Sequence, residues 1–231
     1  NKWSQEGTTS LSGYQVSEDG KLLAYGVSHA GSDWQEWKVL NVETGEDLPD
    51  HLRWIKFSSA SWLPDASGFY YSRYAEPDPD GKLEDANYFQ KLYFHRIGTS
   101  QAEDRLVYER PDQKEWGFSP HVTDDGRYLI ITVWQGAARK NDIFFRDLSQ
   151  PDAPVVELIR GFRAEYNFVD SVGSRLLFLT NDGAPSGRLV SIDVATLTVD
   201  EDGKAEHPQL DTVIPEQHRA LRDVHRVGDV Y

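Results

Sequence analysis

The chain has 231 residues, with 38 acidic against 24 basic side chains and a formal charge of −14, which argues against a nucleic-acid surface because that needs a basic footprint. It has no cysteine, so disulfides are excluded, and no apolar run approaching the roughly 18 residues of a membrane span. Aromatic residues make up 12% and fall in short alternating runs such as Phe69-Tyr70-Tyr71, which suits sheet packing and an all-β fold.

Taken in order, Tyr14–Ser17 reads as a first strand, Leu22–Val27 as a second and Trp34–Val42 as a third, with a short outer strand before Pro49. The second unit reads Leu52–Trp62, Gly68–Arg73, Gln90–Arg96 and Asp104–Glu109; the Pro- and Asp-rich segment Ala75–Asn87 is a loop, since proline cannot continue a central strand. The third reads Gly117–Val122, Tyr128–Trp134, Asp142–Leu148 and Val155–Ile159. The fourth reads Tyr166–Asp170, Leu176–Thr180, Arg188–Asp193 and Leu210–Ile214, and a fifth begins near Arg222. These are four-stranded antiparallel meanders over approximately 14–50, 52–110, 116–160 and 165–215, with a partial blade over 222–231.

A recurring turn organises the series. Ser17-Glu18-Asp19-Gly20 returns as Leu63-Pro64-Asp65-Ala66-Ser67-Gly68, as Thr123-Asp124-Asp125-Gly126 and more weakly as Val172-Gly173-Ser174, with a broken copy at Val227-Gly228-Asp229. The glycines at 20, 68, 126, 173 and 228 lie 48, 58, 47 and 55 residues apart, each supplying a left-handed turn residue ahead of a buried strand. Repeats of this length built only from strands point to a β-propeller, here about four blades and part of a fifth. The third strands also end alike, at Lys38–Val42, Leu92–Arg96, Ile143–Asp147 and Leu189–Asp193. The first residue is not methionine and the last falls inside an expected strand, so the chain reads as an excerpt.

Chemistry-bearing motifs are sparse. Gly117-Phe118-Ser119-Pro120-His121 comes nearest to a nucleophile elbow but lacks the second glycine and the strand-to-helix setting. The seven histidines show no metal-ligand spacing, and Asp78-x-Asp80-Gly81 with Glu84 and Asp85 misses a calcium-loop position, so neither metal nor cofactor is expected. Trp34, Trp62, Trp116 and Trp134 read as wedges between blades or as ligand contacts. In a meander, the second-to-third-strand loops share one end with the blade crossings. That end would carry Gly31–Trp34, Arg73–Asn87, Gln135–Lys140 and Asn181–Ser186, and its basic pair Arg139-Lys140 could receive an acidic substrate or partner.

Gly13–Gly20, Ala24-Tyr25-Gly26, Gly31-Ser32-Asp33-Trp34, Leu48-Pro49-Asp50, Lys56-Phe57-Ser58 and Gln90–Thr99 together resemble the propeller domain of the prolyl oligopeptidases, with Glu103-Asp104 and Asp124–Tyr128 continuing the likeness. The resemblance implies part of a seven-bladed propeller that gates substrate to an α/β-hydrolase domain of the same parent protein, a serine peptidase cleaving short peptides after proline. It makes Asp33 the partner of a substrate-binding arginine and Phe57 a wall of the substrate pocket, with Trp34 beside them. Read as residues alone, Asp33 is a loop cap and Phe57 a core side chain. The chain carries no Ser-Asp-His triad motif and is expected to be inactive by itself. A stand-alone or engineered propeller fragment serving as a non-catalytic scaffold or peptide-binding module is the alternative. Self-association through exposed blade faces, no membrane partner, and a soluble location in the cytoplasm or a bacterial periplasm complete the expectations.

Overall fold

A computed structural model describes residues 8–77 and 87–225. Four sheets of four antiparallel strands are laid down in chain order. The first contains β1 (Thr9–Val16), β2 (Leu22–His29), β3 (Gln35–Asn41) and β4 (Asp47–Ile55). The second contains β5 (Ser61–Trp62), β6 (Gly68–Arg73), β7 (Lys91–Arg96) and β8 (Arg105–Tyr108). The third runs β9 (Trp116–Val122), β10 (Tyr128–Gln135), β11 (Asn141–Asp147) and β12 (Val156–Ile159), and the fourth β13 (Tyr166–Val172), β14 (Arg175–Thr180), β15 (Arg188–Asp193) and β16 (Asp211–Ile214). The all-β expectation of four-stranded meanders is met. The chain divides into two compact units, Asn1–Val122 and Thr123–Tyr231. The acidic run at Asp78–Asp85, Gly228 and most of the expected partial blade lie outside the described residues.

The turn motif folds the same way three times. The N–H groups of Ser17, Leu63 and Thr123 donate to the carbonyls of Leu22, Gly68 and Tyr128 at 2.9, 3.0 and 2.9 Å. The carboxylates of Asp19, Asp65 and Asp125 accept from the N–H two residues on, at 3.1, 3.0 and 3.0 Å, which is how aspartate closes a turn on its own backbone. Gly20 and Gly126 take the left-handed position with φ of 72° and 69°. In the second copy that position belongs to Ala66, φ 55°, and not to Gly68 as the spacing suggested. Gly68 instead opens β6, where a Cβ would run into the His95 carbonyl and the Phe94 ring.

Two strand boundaries are corrected. Leu52–Trp62 is not one strand: β4 ends at Ile55 in the first sheet, and Ser61–Trp62 begins the second. Trp54 and Phe57, at φ 63° and 54°, break the extended run between them. The first strand begins at Thr9 rather than Tyr14, with a bulge at Leu11/Gly13. Pro49 sits inside β4, an edge strand of its sheet, where a missing N–H does least harm.

Middle strands are buried along nearly their whole length, as in β6 and β14, whereas the outer β8 and β16 face solvent. In the first unit Ala24, Trp37, Val39, Leu52 and Ile55 of the first sheet pack on Phe69 and Tyr71 of the second. Trp62 joins this cluster and donates its indole N–H to the Gln15 carbonyl at 3.0 Å, bridging the two sheets. In the second unit Tyr128, Ile130, Ile143 and Phe145 pack on Tyr166, Leu176, Phe178 and Val190.

Buried polar groups reinforce these joints. His95, fully buried on β7, bonds Asp50 of β4 through Nε2 at 2.9 Å and Asp104 through Nδ1 at 2.7 Å. Burial alone would lower the imidazole pKa, but hydrogen bonds to Asp104 and Asp50 outweigh it and raise it to about 9. Burial likewise opposes the Asp50 charge, yet His95 and the Gly98 N–H hold its pKa below the usual carboxylate value. The Tyr71 hydroxyl donates to Asp104 at 2.5 Å. In the second unit the Asn141 amide at the start of β11 exchanges two hydrogen bonds with the Tyr166 backbone, at 2.8 and 2.9 Å. There too the buried Asp142 carboxylate accepts the N–H groups of Gly161 at 2.9 Å and Phe162 at 2.6 Å, and burial pushes its pKa up.

Candidate functional site

The β2–β3 loop begins with two left-handed residues, Ala30 and Gly31 at φ 51° and 72°, which turn the chain sharply at the end of β2. Ser32 then caps it: its N–H donates to the His29 carbonyl at 2.9 Å, and its hydroxyl accepts from the Trp34 N–H at 3.1 Å. The loop is thus closed by Ser32 and not by its neighbour. Asp33 is exposed, and its side chain makes no hydrogen bond or ion pair with any described residue.

Trp34 is half-buried and sits in an aromatic corner. Its ring meets Trp54 edge-on at 6.0 Å and Tyr74 edge-on at 5.9 Å. Tyr74 follows β6, and its N–H donates to the Trp54 carbonyl at 2.9 Å, so the corner is tied together through backbone as well as rings. Burial raises the Tyr74 hydroxyl pKa to about 12, keeping it neutral. The Lys56 ammonium lies 4.4 Å from the Trp34 ring centre, within cation–π range. Lys56 is buried and held, its Nζ on Asn87 Oδ1 at 3.2 Å and its carbonyl accepting from the Gln90 amide at 2.9 Å. The same Gln90 side chain accepts the Phe118 N–H at 2.7 Å, tying the crossing to β9.

Phe57 follows Lys56 on the crossing from the first sheet to the second. It is 52% exposed at φ 54°, so the side chain points away from the core, against its reading as a core residue. A bulky residue in the left-handed region costs roughly 1–3 kcal/mol and persists only where its surroundings impose it. Trp54, three residues earlier, carries the same strain at φ 63°. Asp33 and Phe57 therefore flank the Trp34–Lys56 contact from two different loops at one end of the first unit.

Sequence reasoning identified Asp33, Trp34 and Phe57 but not Trp54, Tyr74 or the role of Lys56. Trp54 was hidden because a tryptophan inside an apolar run looks like strand, and nothing in the sequence announces a positive φ. The corner can present an exposed carboxylate beside an aromatic and cationic wall, and so bind and orient a cationic or apolar group. Among the described residues no group of histidine, aspartate or glutamate side chains is placed to hold a metal ion, and no helix is long and apolar enough to cross a membrane.

The whole chain, residues 1–231, matches the family described as the prolyl oligopeptidase N-terminal beta-propeller domain. It is 36% identical to the prolyl oligopeptidase A of Amanita bisporigera over 217 residues, covering 84% of this chain and 28% of that protein. It is 36% identical to the prolyl endopeptidase of Elizabethkingia meningoseptica over 194 residues, covering 84% of this chain and 27% of the relative. Among solved structures, a prolyl endopeptidase studied for inter-domain dynamics in catalysis and specificity superposes with a TM-score of 0.84 at 36% identity, over 96% of this chain and 30% of that one. Prolyl oligopeptidase B of Galerina marginata, bound to a 35mer hydrolysis and macrocyclization substrate, gives 0.83 at 25% identity, over 94% and 30%. The chain therefore spans about 30% of the length of the proteins it matches.

Proposed function

Because the chain belongs to the family of prolyl oligopeptidase N-terminal β-propeller domains, we propose that it is the substrate-gating portion of a proline-specific serine oligopeptidase. In this reading the four sheets are blades of the propeller, and the end carrying Asp33, Trp34 and Phe57 faces an α/β-hydrolase domain that supplies the nucleophile, base and acid. The propeller contributes positioning. An exposed carboxylate at Asp33 takes an arginine of the partner domain in a bidentate pair and fixes it for the carbonyl of a short, proline-containing peptide. Phe57, already turned outward, offers a face for the substrate side chain upstream of the proline. The exposed apolar side chains of β1, Leu11, Tyr14 and Val16, are the blade surface available to further blades or to a second copy.

The observation that carries this reading is the unpaired Asp33 within a family match that spans the chain. A carboxylate that neither caps its loop nor pairs with a described neighbour contributes little to folding, so its role lies in what docks there. The test is Asp33→Asn in the full-length parent, which keeps the shape and removes the charge. The expected result is a fall in kcat/KM of about tenfold or more, corresponding to ~1.4 kcal/mol of lost transition-state stabilisation, with an unchanged melting temperature. Unchanged kcat/KM at unchanged stability would return Asp33 to an ordinary surface residue.

A further inference from the structure

The second unit holds a polar cleft of about 310 Å³ between the β10–β11 loop, the first half of β13, the β14–β15 loop and the segment after β16. Two arginines line it, Arg139 from the β10–β11 loop and Arg222 near the end of the described chain. Both are exposed, and neither pairs with a carboxylate or any other group among the described residues. Glu165 is the one acidic residue in the lining, and Glu216 meets its wall at the Ser186 N–H.

The cleft is built rather than incidental, because each wall is fixed by backbone. The Asn141 N–H donates to the Ala164 carbonyl at 3.1 Å, and the Asn141 amide clasps Tyr166, so the loop two residues upstream holds Arg139 beside Glu165. The Glu165 N–H donates to Asn181 Oδ1 at 2.9 Å, which turns the donor end of that amide free. Across the cleft, the Ser186 N–H donates to Glu216 Oε1 at 2.6 Å and the Leu221 N–H to the Ser186 carbonyl at 2.7 Å. Gly187, at φ 87°, lets the later segment lie this close: a Cβ there would sit 2.6 Å from the Leu221 carbonyl. Leu221 is pinned, and Arg222 follows it.

We infer that this cleft is a carboxylate-binding subsite that takes an acidic peptide, its carboxylate held between Arg139 and Arg222 and its chain lying on Leu179, Pro185 and Leu221. Two guanidinium forks and an amide donor match the flat, two-oxygen geometry of a carboxylate. The apolar rim and a volume at the lower end of ligand pockets suit a peptide segment rather than a bare ion. The carboxylate could come from an aspartate or glutamate side chain or from the peptide C-terminus; the chemistry is shared and the assay separates the two. This inference does not depend on the catalytic reading above, since it concerns binding by the chain itself.

The test is isothermal titration of the 231-residue chain with three N-acetylated tetrapeptides. One is Ala-Ala-Glu-Ala amide, one is Ala-Ala-Gln-Ala amide, and one is tetra-alanine with a free C-terminal carboxylate. The inference expects at least one acidic probe to bind tenfold or more tighter than the glutamine probe, with affinity falling as salt rises. Whichever acidic probe binds names the source. Arg139→Gln and Arg222→Gln should each weaken that probe about threefold to tenfold, and the double variant should abolish the preference. Arg163→Gln, whose guanidinium lies 4.0 Å from Asp182, should leave it unchanged. Equal binding of acidic and glutamine probes, absence of binding by all three, or an undiminished preference in the double variant would overturn the inference. If a variant fails to fold, side-chain NMR of the unaltered chain decides: resonances of Arg139 and Arg222 that do not move on addition of the acidic probe would equally overturn it.

Discussion

In the first unit the buried carboxylate of Asp50 faces the imidazole of His95, which also grips Asp104, whereas in the second unit the buried carboxylate of Asp142 bonds the N–H groups of Gly161 and Phe162, with Arg160 and Arg163 acting on its charge without an ion pair. The outcome for the proton is opposite. Asp50 is held below the usual carboxylate pKa and His95 is lifted to about 9, while Asp142 is pushed up. Backbone donors satisfy the hydrogen-bonding capacity of a carboxylate but bring only partial charge, so desolvation prevails at Asp142. A full counter-charge reverses the balance at Asp50. The two units thus use the same residue type in the same kind of place, once as part of an ion network joining two sheets and once as a loop clamp whose charge burial opposes.

The comparison is broken most severely at His95. His95→Ala leaves Asp50 and Asp104 buried without their shared cation, and removing one partner from a buried ion pair costs about 3–5 kcal/mol. Hydrogen exchange resolved by peptide should show that loss in β4 and β7 with β10–β15 little changed; an equal loss in both units would mean that the network does not belong to the first. A smaller effect follows from pH. Because the folded pKa of His95, about 9, exceeds the unfolded value of 6.5, its contribution is complete below pH 6.5 and disappears as pH rises through about 9. Protection of β7, corrected for intrinsic exchange, should therefore decline between pH 7 and 10. His95→Gln should flatten that decline, and a slope surviving the substitution would place its origin elsewhere. The smallest effect belongs to Asp142→Asn. Its raised pKa means that the charge opposes folding above the folded pKa, so removing it offsets part of the roughly 1–3 kcal/mol lost where the new NH2 meets one of the two N–H groups that Oδ1 and Oδ2 accept, and the net loss should stay below that of His95→Ala at pH 7. A loss as large as that of His95→Ala, measured by urea denaturation, would erase the distinction between the two carboxylates.

Much of the fold was legible in the sequence because it is written locally. An aspartate, a left-handed residue and a run of strand-forming side chains lie within about ten positions, and the turns at Gly20 and Gly126 form as expected. Ala66 was not legible, since an alanine in the left-handed region looks like any other alanine and Gly68 two residues later offered a more obvious candidate. Leu52–Trp62 misled for a related reason: its apolar pattern is continuous, and the break comes from backbone angles at Trp54 and Phe57. The site was half visible. Asp33 and Trp34 stand in a distinctive loop, but Trp54 meets Trp34 from the neighbouring strand β4 and Tyr74 from the end of β6 in the second sheet. The His95 network was invisible, because Asp50 lies 45 residues from its partner and no short motif records that meeting. Arg139 drew notice through Lys140, while Arg222 stood alone in a polar stretch and only the clamp at Leu221 brings it to the cleft.

The aromatic corner also has an optical consequence. Trp34 is bonded directly to Asp33, stands edge-on to Trp54 at 86° and carries the Lys56 ammonium 4.4 Å from its ring centre. The emission of an indole responds to the electric field along its ring, and a fixed ammonium sets that field before anything arrives. A guanidinium docking on Asp33 would place a second positive charge one residue away and shift both wavelength and yield. The chain therefore holds its own fluorophore at the place where a partner is proposed to land, and docking there can be followed by light without a label.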